Sequence, residues 1–240
     1  MKINTEKISL PRCVMIHGQD GIGKTTLASK LPNHLILNIE GGCYDIDCRY
    51  TDRIKNWVDL VTTMKELTSP DLPVDKLEWL VIDTLDWVEK LIFHDVAANA
   101  DKKNIAEIGY GKGYALAMGQ WELLIKDIDA IRRQHNCNVL LLAHTQNATI
   151  RPPDMESYQQ WRPKLRAEAS EIWREYCDEV FFAGFKVYLR KEEGIRERTI
   201  GVGGTERFLR TRESAGIMAK RRVDLPDEMP LDWEQYFKAI

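Results

Sequence analysis

Gly18-Gln19-Asp20-Gly21-Ile22-Gly23-Lys24-Thr25 is the stretch whose reading decides the fold. It satisfies G-x-x-x-x-G-K-[ST] at every defined position, and a chance match in a chain of this length is roughly one in a hundred. Its flanks strengthen it. The apolar run Cys13-Val14-Met15-Ile16-His17 precedes it, and Thr25 to Leu31, halted by Pro32, reads as a helix after it. A glycine-bearing loop between strand and helix turns its backbone N–H groups inward around phosphate. Gly18, Gln19, Asp20, Gly21, Ile22, Gly23, Lys24, Thr25 and Thr26 are therefore the candidate nucleotide-binding residues. Lys24 is placed to hold the β- and γ-phosphates of ATP, and the Thr25 hydroxyl to ligate Mg²⁺.

Outward from the loop, strands and helices alternate. Leu35 to Ile39 is a second β-rich run, closed by Glu40-Gly41-Gly42, and a helix from about Arg53 to Leu67 carries Trp57, Leu60, Val61 and Met64 on one face. Trp79 to Asp83 reads as a third buried strand, followed by helical spacing through Leu85, Val88, Leu91, Ile92 and Val96. Residues 101–113 read as a loop, and Tyr114, Met118, Trp121, Ile125 and Ile128 mark a long helix. Val139 to His144 is the fourth strand. The polar, proline-bearing stretch from Thr145 to about Lys164 is too long for a routine connection and reads as a loop that is either mobile or functional, and a helix near 165–176 leads to a strand at Val180 to Ala183. From 185 to about Arg212 the pattern is β-rich, with turns expected at Glu193-Gly194 and Gly203-Gly204, and a short helix from Trp233 to Ala239 closes the chain.

Short apolar strands separated by helices specify an α/β fold, a mainly parallel sheet with helices on both faces, here with a C-terminal antiparallel β extension. We expect a single domain. Its core covers about 12–184, its β-rich extension 185–222, and an acidic tail 223–240.

The chain of 240 residues carries 34 Lys+Arg and 37 Asp+Glu, a net charge of −3 with 30% charged residues, a composition that excludes intrinsic disorder. No apolar run reaches the length of a membrane helix and the start lacks an apolar signal core, so a cytoplasmic protein with no membrane partner is expected. Cys13, Cys43, Cys48, Cys137 and Cys177 are odd in number and scattered, which reads as reduced thiols and supplies no paired metal-ligand spacing. Charge is uneven along the chain. Residues 185–222 hold 11 Lys/Arg against 5 Asp/Glu, and residues 223–240 hold 1 against 5, so an acidic tail masks a basic stretch able to meet phosphates.

Nucleotide hydrolysis needs a second magnesium ligand and a group that orients water. Asp83, closing the third strand, fits the first role, with a helix N-cap as the structural alternative. Glu40, ending the second strand at the sheet edge where α/β folds bind ligands, fits the second. His144 ends the fourth strand on the same edge and is a candidate γ-phosphate sensor. His17, beside the loop, reads as structural.

This order of parts resembles the core of RecA-like P-loop ATPases. More specifically, GQDGIGKTTLA, NIEGG, the Gly109–Tyr114 segment, LLLAH and the Ala219-Lys220-Arg221-Arg222 ending resemble the compact phage-encoded nucleotide-binding proteins of that superfamily associated with single-strand annealing. The resemblance implies that Glu40 activates the attacking water and that His144 couples nucleotide state to a DNA-binding loop. It also implies a homo-oligomer, ring or filament, with ATP between subunits and Lys220 and Arg222 reaching the neighbour's γ-phosphate. The DNA loop falls on 145–166, where Arg151, Tyr158, Trp161, Arg162, Lys164 and Arg166 mix rings and cations suited to single-stranded DNA. Tyr110, Lys112 and Tyr114 are candidates for a second contact loop.

The expected function is thus a Mg²⁺-dependent ATPase, weak as a monomer, acting on single-stranded DNA in phage recombination or strand annealing. A single-strand-binding protein is an expected partner, and a phage-encoded protein would work in the host cytoplasm. The alternatives are an ATP-dependent switch or loader acting on a protein partner, and a P-loop kinase.

Overall fold

A computed structural model describes residues 10–69, 76–192 and 198–240. In chain order the elements are β1 (Cys13–Gly18), α1 (Lys24–Ala28), β2 (His34–Asn38), α2 (Trp57–Leu67), β3 (Trp79–Asp83), α3 (Leu85–Asn99), α4 (Lys112–His135), β4 (Asn138–Ile150), β5 (Tyr158–Pro163), α5 (Ala167–Tyr176), β6 (Glu179–Glu192), β7 (Arg198–Arg210), β8 (Glu228–Pro230) and α6 (Glu234–Ala239). They fall into two compact units, one of residues 1–13 and 32–141, the other of 14–31 and 142–240. Strand β4 begins in the first and ends in the second. Among the described residues no helix is long and apolar enough to cross a membrane.

In the first unit the strand order is β2-β3-β4, with β2 and β3 parallel from His34↔Trp79 to Asn38↔Asp83. Both strands are continuous apolar runs because both faces are covered. Helix α2 buries Trp57, Leu60, Met64 and Leu67 at three- and four-residue spacing, and α4 buries Trp121, Leu124, Ile128 and Ile131 in the same way. The Asn56 side chain caps α2 by accepting from the Asp59 N–H at 2.8 Å. Asn136, at φ 49°, ends α4, and the preceding His135 ring lies 2.9 Å from the Leu67 carbonyl oxygen, tying the ends of the two helices together.

In the second unit the strand order is β4-β1-β6-β7-β8, with β5 on β4. Strand β1 runs parallel to β6, from Val14↔Glu179 to Gly18↔Ala183, and the later pairings are antiparallel. The antiparallel extension expected from sequence is the β6–β7 pair, although β6 starts earlier than the extension, inside the core. The closing segment returns to the phosphate-loop helix. Trp233, 5% exposed, donates its indole N–H to the Leu27 carbonyl at 2.8 Å, and the buried Tyr236 hydroxyl donates to Glu179 at 2.9 Å.

Three local expectations differ from the structure. Residues 145–164 are not a loop: β4 continues to Ile150 and pairs with β5 from Thr145↔Pro163 to Ile150↔Tyr158. Its exposed edge positions are polar, so hydropathy reads it as loop while its Thr and Ile residues hold strand conformation. Gly203-Gly204 is not a turn. Phe185↔Arg207 is followed by Val187↔Gly203, so the glycines sit where β7 carries extra residues and bulges. Residues 101–113 contain two single-turn 3-10 segments, and α4 starts at Lys112. The expected Glu193-Gly194 turn lies outside the described residues.

Candidate functional site

The phosphate loop leaves the end of β1, and packing explains its glycines. A Cβ on Gly18 would lie 2.6 Å from the Ala183 carbonyl oxygen, so only glycine permits β1 and β6 to approach here. Gly21 and Gly23 stand at φ 71° and 102°, left-handed conformations that turn the chain into α1. Ile22, fully buried between them, anchors the loop. The Lys24 ammonium folds back inside, donating to the Gly18 and Gln19 carbonyls at 3.0 Å each, with the residue only 6% exposed. Thr25 is half-buried, while Gln19, Asp20 and Thr26 are exposed.

His144 reaches this loop from β4, its Nε2 3.2 Å from the Asp20 carboxylate. Beneath it the buried His17 imidazole lies 2.9 Å from the Met218 carbonyl oxygen by Nε2 and 3.1 Å from the Thr145 hydroxyl by Nδ1. A carbonyl only accepts, so Nε2 carries the proton and Nδ1 is the acceptor. Thr145 also lies 3.0 Å from the Arg162 carbonyl, so its single hydroxyl proton faces two acceptors. One side chain therefore bonds the residue before the phosphate loop to the β4–β5 hairpin.

Burial, opposed in part by the Met218 hydrogen bond and reinforced by the Lys24 and Arg162 charges, lowers the His17 pKa from 6.5 to about 4. The folded protein thus keeps His17 neutral where the unfolded chain would protonate it. Its contribution is present above pH 6.5 and is lost as pH falls through about 4. Urea unfolding should show wild type losing about 3 kcal/mol more than His17→Gln across that window. Parallel losses in the two proteins would contradict the assignment.

In the first unit the structure brings Glu40 and Asp83 together. The Glu40 N–H donates to the Asp83 carbonyl at 3.0 Å and the Ile39 N–H to the same oxygen at 3.2 Å. Thr84, not Asp83, occupies the N-cap position of α3. Asp83 is 2% exposed, and Asn38 pairs with it across β2 and β3, which directs the two side chains to one face. The Asn38 amide nitrogen and oxygen and the Thr84 hydroxyl are buried without a protein hydrogen-bond partner. Polar atoms so placed beside a carboxylate fit a hydrated divalent cation, whose waters donate and accept at once. Burial raises the Cys43 thiol to about 12, and the Asp83 charge adds to that effect.

The remaining candidates separate by exposure and pairing. Trp161 is half-buried and lines a cleft of about 530 Å³ with Gln19, Phe182, Phe185, Phe208 and Lys186. Arg162 pairs with Glu171 and Arg166 with Glu168, whereas Arg151 and Lys164 are exposed on the hairpin and Tyr158 is half-buried. Lys112, exposed, opens α4 in the first unit. Lys220 has a structural employment that the basic triplet did not disclose. Its ammonium donates to the carbonyls of Arg174, Glu175 and Cys177, closing the end of α5, and burial together with the Arg222 charge lowers its pKa. Arg222 is more exposed and pairs with Asp178 at 2.8 Å. Arg207 escaped the sequence reading. It lies on β7 with its guanidinium against Gly23, and no local motif marks it within the basic stretch.

A family model described as an AAA domain matches residues 10–223. The chain belongs to the AAA domain family. That assignment includes residues of both compact units and identifies a nucleotide-binding P-loop ATPase domain. No curated protein matches the sequence. The AAA domain assignment also agrees with the mostly parallel α/β arrangement around β1, β2, β3 and β6.

Proposed function

We propose that this AAA domain protein is a RecA-like, Mg²⁺-dependent ATPase that assembles as a homo-oligomer on single-stranded DNA and serves in phage recombination or strand annealing. The observation that carries the DNA reading is the aromatic cleft at Trp161. It shares Gln19 with the phosphate loop, and His17 bonds the base of that loop to the hairpin bearing Trp161. Nucleobases stack on such rings without sequence preference, while Arg151 and Lys164 supply exposed cations for the backbone. In an oligomer, we assign the charge reaching a neighbour's nucleotide to Arg222 rather than Lys220, since Lys220 holds three carbonyls of its own chain. Thr25 and Asp83 would hold Mg²⁺, which supplies charge neutralisation of the phosphates. Glu40 would orient water.

Replacing Trp161 with Ala should weaken binding of a fluorescent oligothymidylate by about 10-fold, the effect of losing one stacked base. Phe at the same position should restore most of the affinity. Equal affinity of wild type and Trp161→Ala at low salt would remove the cleft from DNA binding.

A further inference from the structure

The segment that follows Glu40 carries two of the five cysteines, Cys43 and Cys48. Both lie in the first unit, and their thiols are hydrogen-bonded to each other. Cys43 is fully buried and Cys48 is half-buried, so one sulfur of the pair is open to solvent. The other three cysteines, Cys13, Cys137 and Cys177, are all buried. Cys137 donates its thiol proton to the Asn138 carbonyl at 3.1 Å.

The local fold brings the two sulfurs together. The Ile46 N–H donates to the Cys43 carbonyl at 3.1 Å, a turn that reverses the chain between the cysteines. Both ends of the segment are fixed on the sheet. Glu40 is held by the Asp83 carbonyl as described above. At the other end the Arg49 carbonyl accepts from the Ile36 N–H at 2.9 Å, the Thr51 N–H donates to the Ile36 carbonyl at 3.0 Å, and Arg49 Nε donates to the His34 carbonyl at 2.8 Å. The Tyr44 and Tyr50 rings meet edge to face with centroids 5.9 Å apart, joining the turn to that end. Thiols so held stay within reach of each other, and a disulfide requires them to close to about 2.05 Å. Only Gly41 and Gly42 separate Cys43 from Glu40. A Cβ on Gly41 would lie 3.3 Å from Arg53 Cζ, and Arg53 donates to the Glu40 carbonyl at 3.3 Å, so a shift at Cys43 reaches Glu40 through a braced link.

We propose that Cys43 and Cys48 are a redox modification site, which a small-molecule disulfide closes to a reversible disulfide that displaces and restrains Glu40. The hydrogen bond between the thiols raises the Cys43 pKa and lowers that of Cys48, so Cys43 donates and Cys48, the more exposed, is the thiol that ionises. The Cys48 thiolate attacks one sulfur of the oxidant, breaking its S–S bond and releasing one thiolate. Cys43 then gives its proton to solvent and attacks the Cys48 sulfur, forming the Cys43–Cys48 bond and releasing the second thiolate. The two protein thiols lose two electrons in all, and the small disulfide is reduced to two thiols. The effect on turnover rests on the reading of Glu40 as the residue that orients water, whereas the disulfide itself does not.

Glutathione disulfide incubated with the full chain at about pH 8.5, the ordinary thiol pKa, followed by alkylation and peptide mass mapping, tests the site. Wild type should yield a Cys43–Cys48 cross-link, two hydrogen atoms lighter than the dithiol peptide and reversed by dithiothreitol. Cys43→Ser should stop with glutathione on Cys48, and Cys48→Ser should take up at least about 10-fold less glutathione than Cys43→Ser. ATP turnover of the oxidised wild type should fall by about 10-fold or more with ATP affinity retained, because a small misplacement of a catalytic group is costly, and dithiothreitol should restore it. Turnover of Cys48→Ser should not respond to the oxidant. Wild type that stops with glutathione on Cys48, or keeps both thiols free, overturns the site. A cross-link that leaves turnover unchanged overturns the restraint on Glu40. A cross-link in a protein that has no turnover even when reduced removes the ATPase reading and leaves the disulfide standing.

Discussion

Lys24→Met should lower affinity for ATP by at least about 100-fold and reduce turnover below detection, since both ground-state binding and the charge of the transition state depend on one ammonium. The structure explains why the loss is so large. The Lys24 ammonium is held by two loop carbonyls at 3.0 Å and is almost wholly buried, so no neighbouring cation can take its position. Methionine preserves the length and apolar stem of the side chain, so stability should hold while binding disappears. A fluorescent ATP analogue titrated into both proteins reads the difference. Near-wild-type affinity in the variant would mean that the loop is not the nucleotide site.

Trp233→Ala should destabilise the protein by about 3–5 kcal/mol, the range for removing a buried aromatic side chain. It should also weaken ATP binding, although Trp233 lies far along the chain from the phosphate loop. Helix α1 spans only five residues, too short to persist on its own, and it is fixed by what packs on it. Trp233 supplies part of that support by burying its ring and donating to the Leu27 carbonyl. Trp233→Phe isolates the hydrogen bond: it keeps most of the packing and should cost about 1–2 kcal/mol. Thermal unfolding of the three proteins measures the ranking. A Trp233→Ala protein as stable as wild type would show that the C-terminal segment does not brace α1.

The phosphate loop and the parallel strands were legible because each carries a local signal. A glycine-lysine spacing identifies the loop, and continuous apolar runs identify β1, β2 and β3. The β4–β5 hairpin was not legible, since polar residues fill most of its half-buried positions and even the buried Gln160, so its strands lack hydrophobic periodicity. Lys220 shows a different limit. Its place in a basic triplet suggested a projecting cation, yet two carbonyls of α5 and that of Cys177 just after it, more than forty residues away in sequence, absorb it. Arg207 is the converse case. It is one cation among 11 in the stretch 185–222, and only the folded approach of β7 to Gly23 distinguishes it.

The central claim, an ATPase whose cycle is coupled to single-stranded DNA, is tested most directly by steady-state ATP turnover with Mg²⁺ at low salt. The assay compares protein alone with protein plus oligothymidylate over a range of protein concentrations. Low salt matters because phosphate contacts weaken steeply as salt rises, and the chain carries a net charge of −3. We predict turnover stimulated about 10-fold or more by DNA and rising faster than protein concentration, since in the proposed oligomer a neighbouring subunit completes the site. Turnover that is indifferent to DNA and strictly proportional to protein would contradict both the DNA coupling and the assembly.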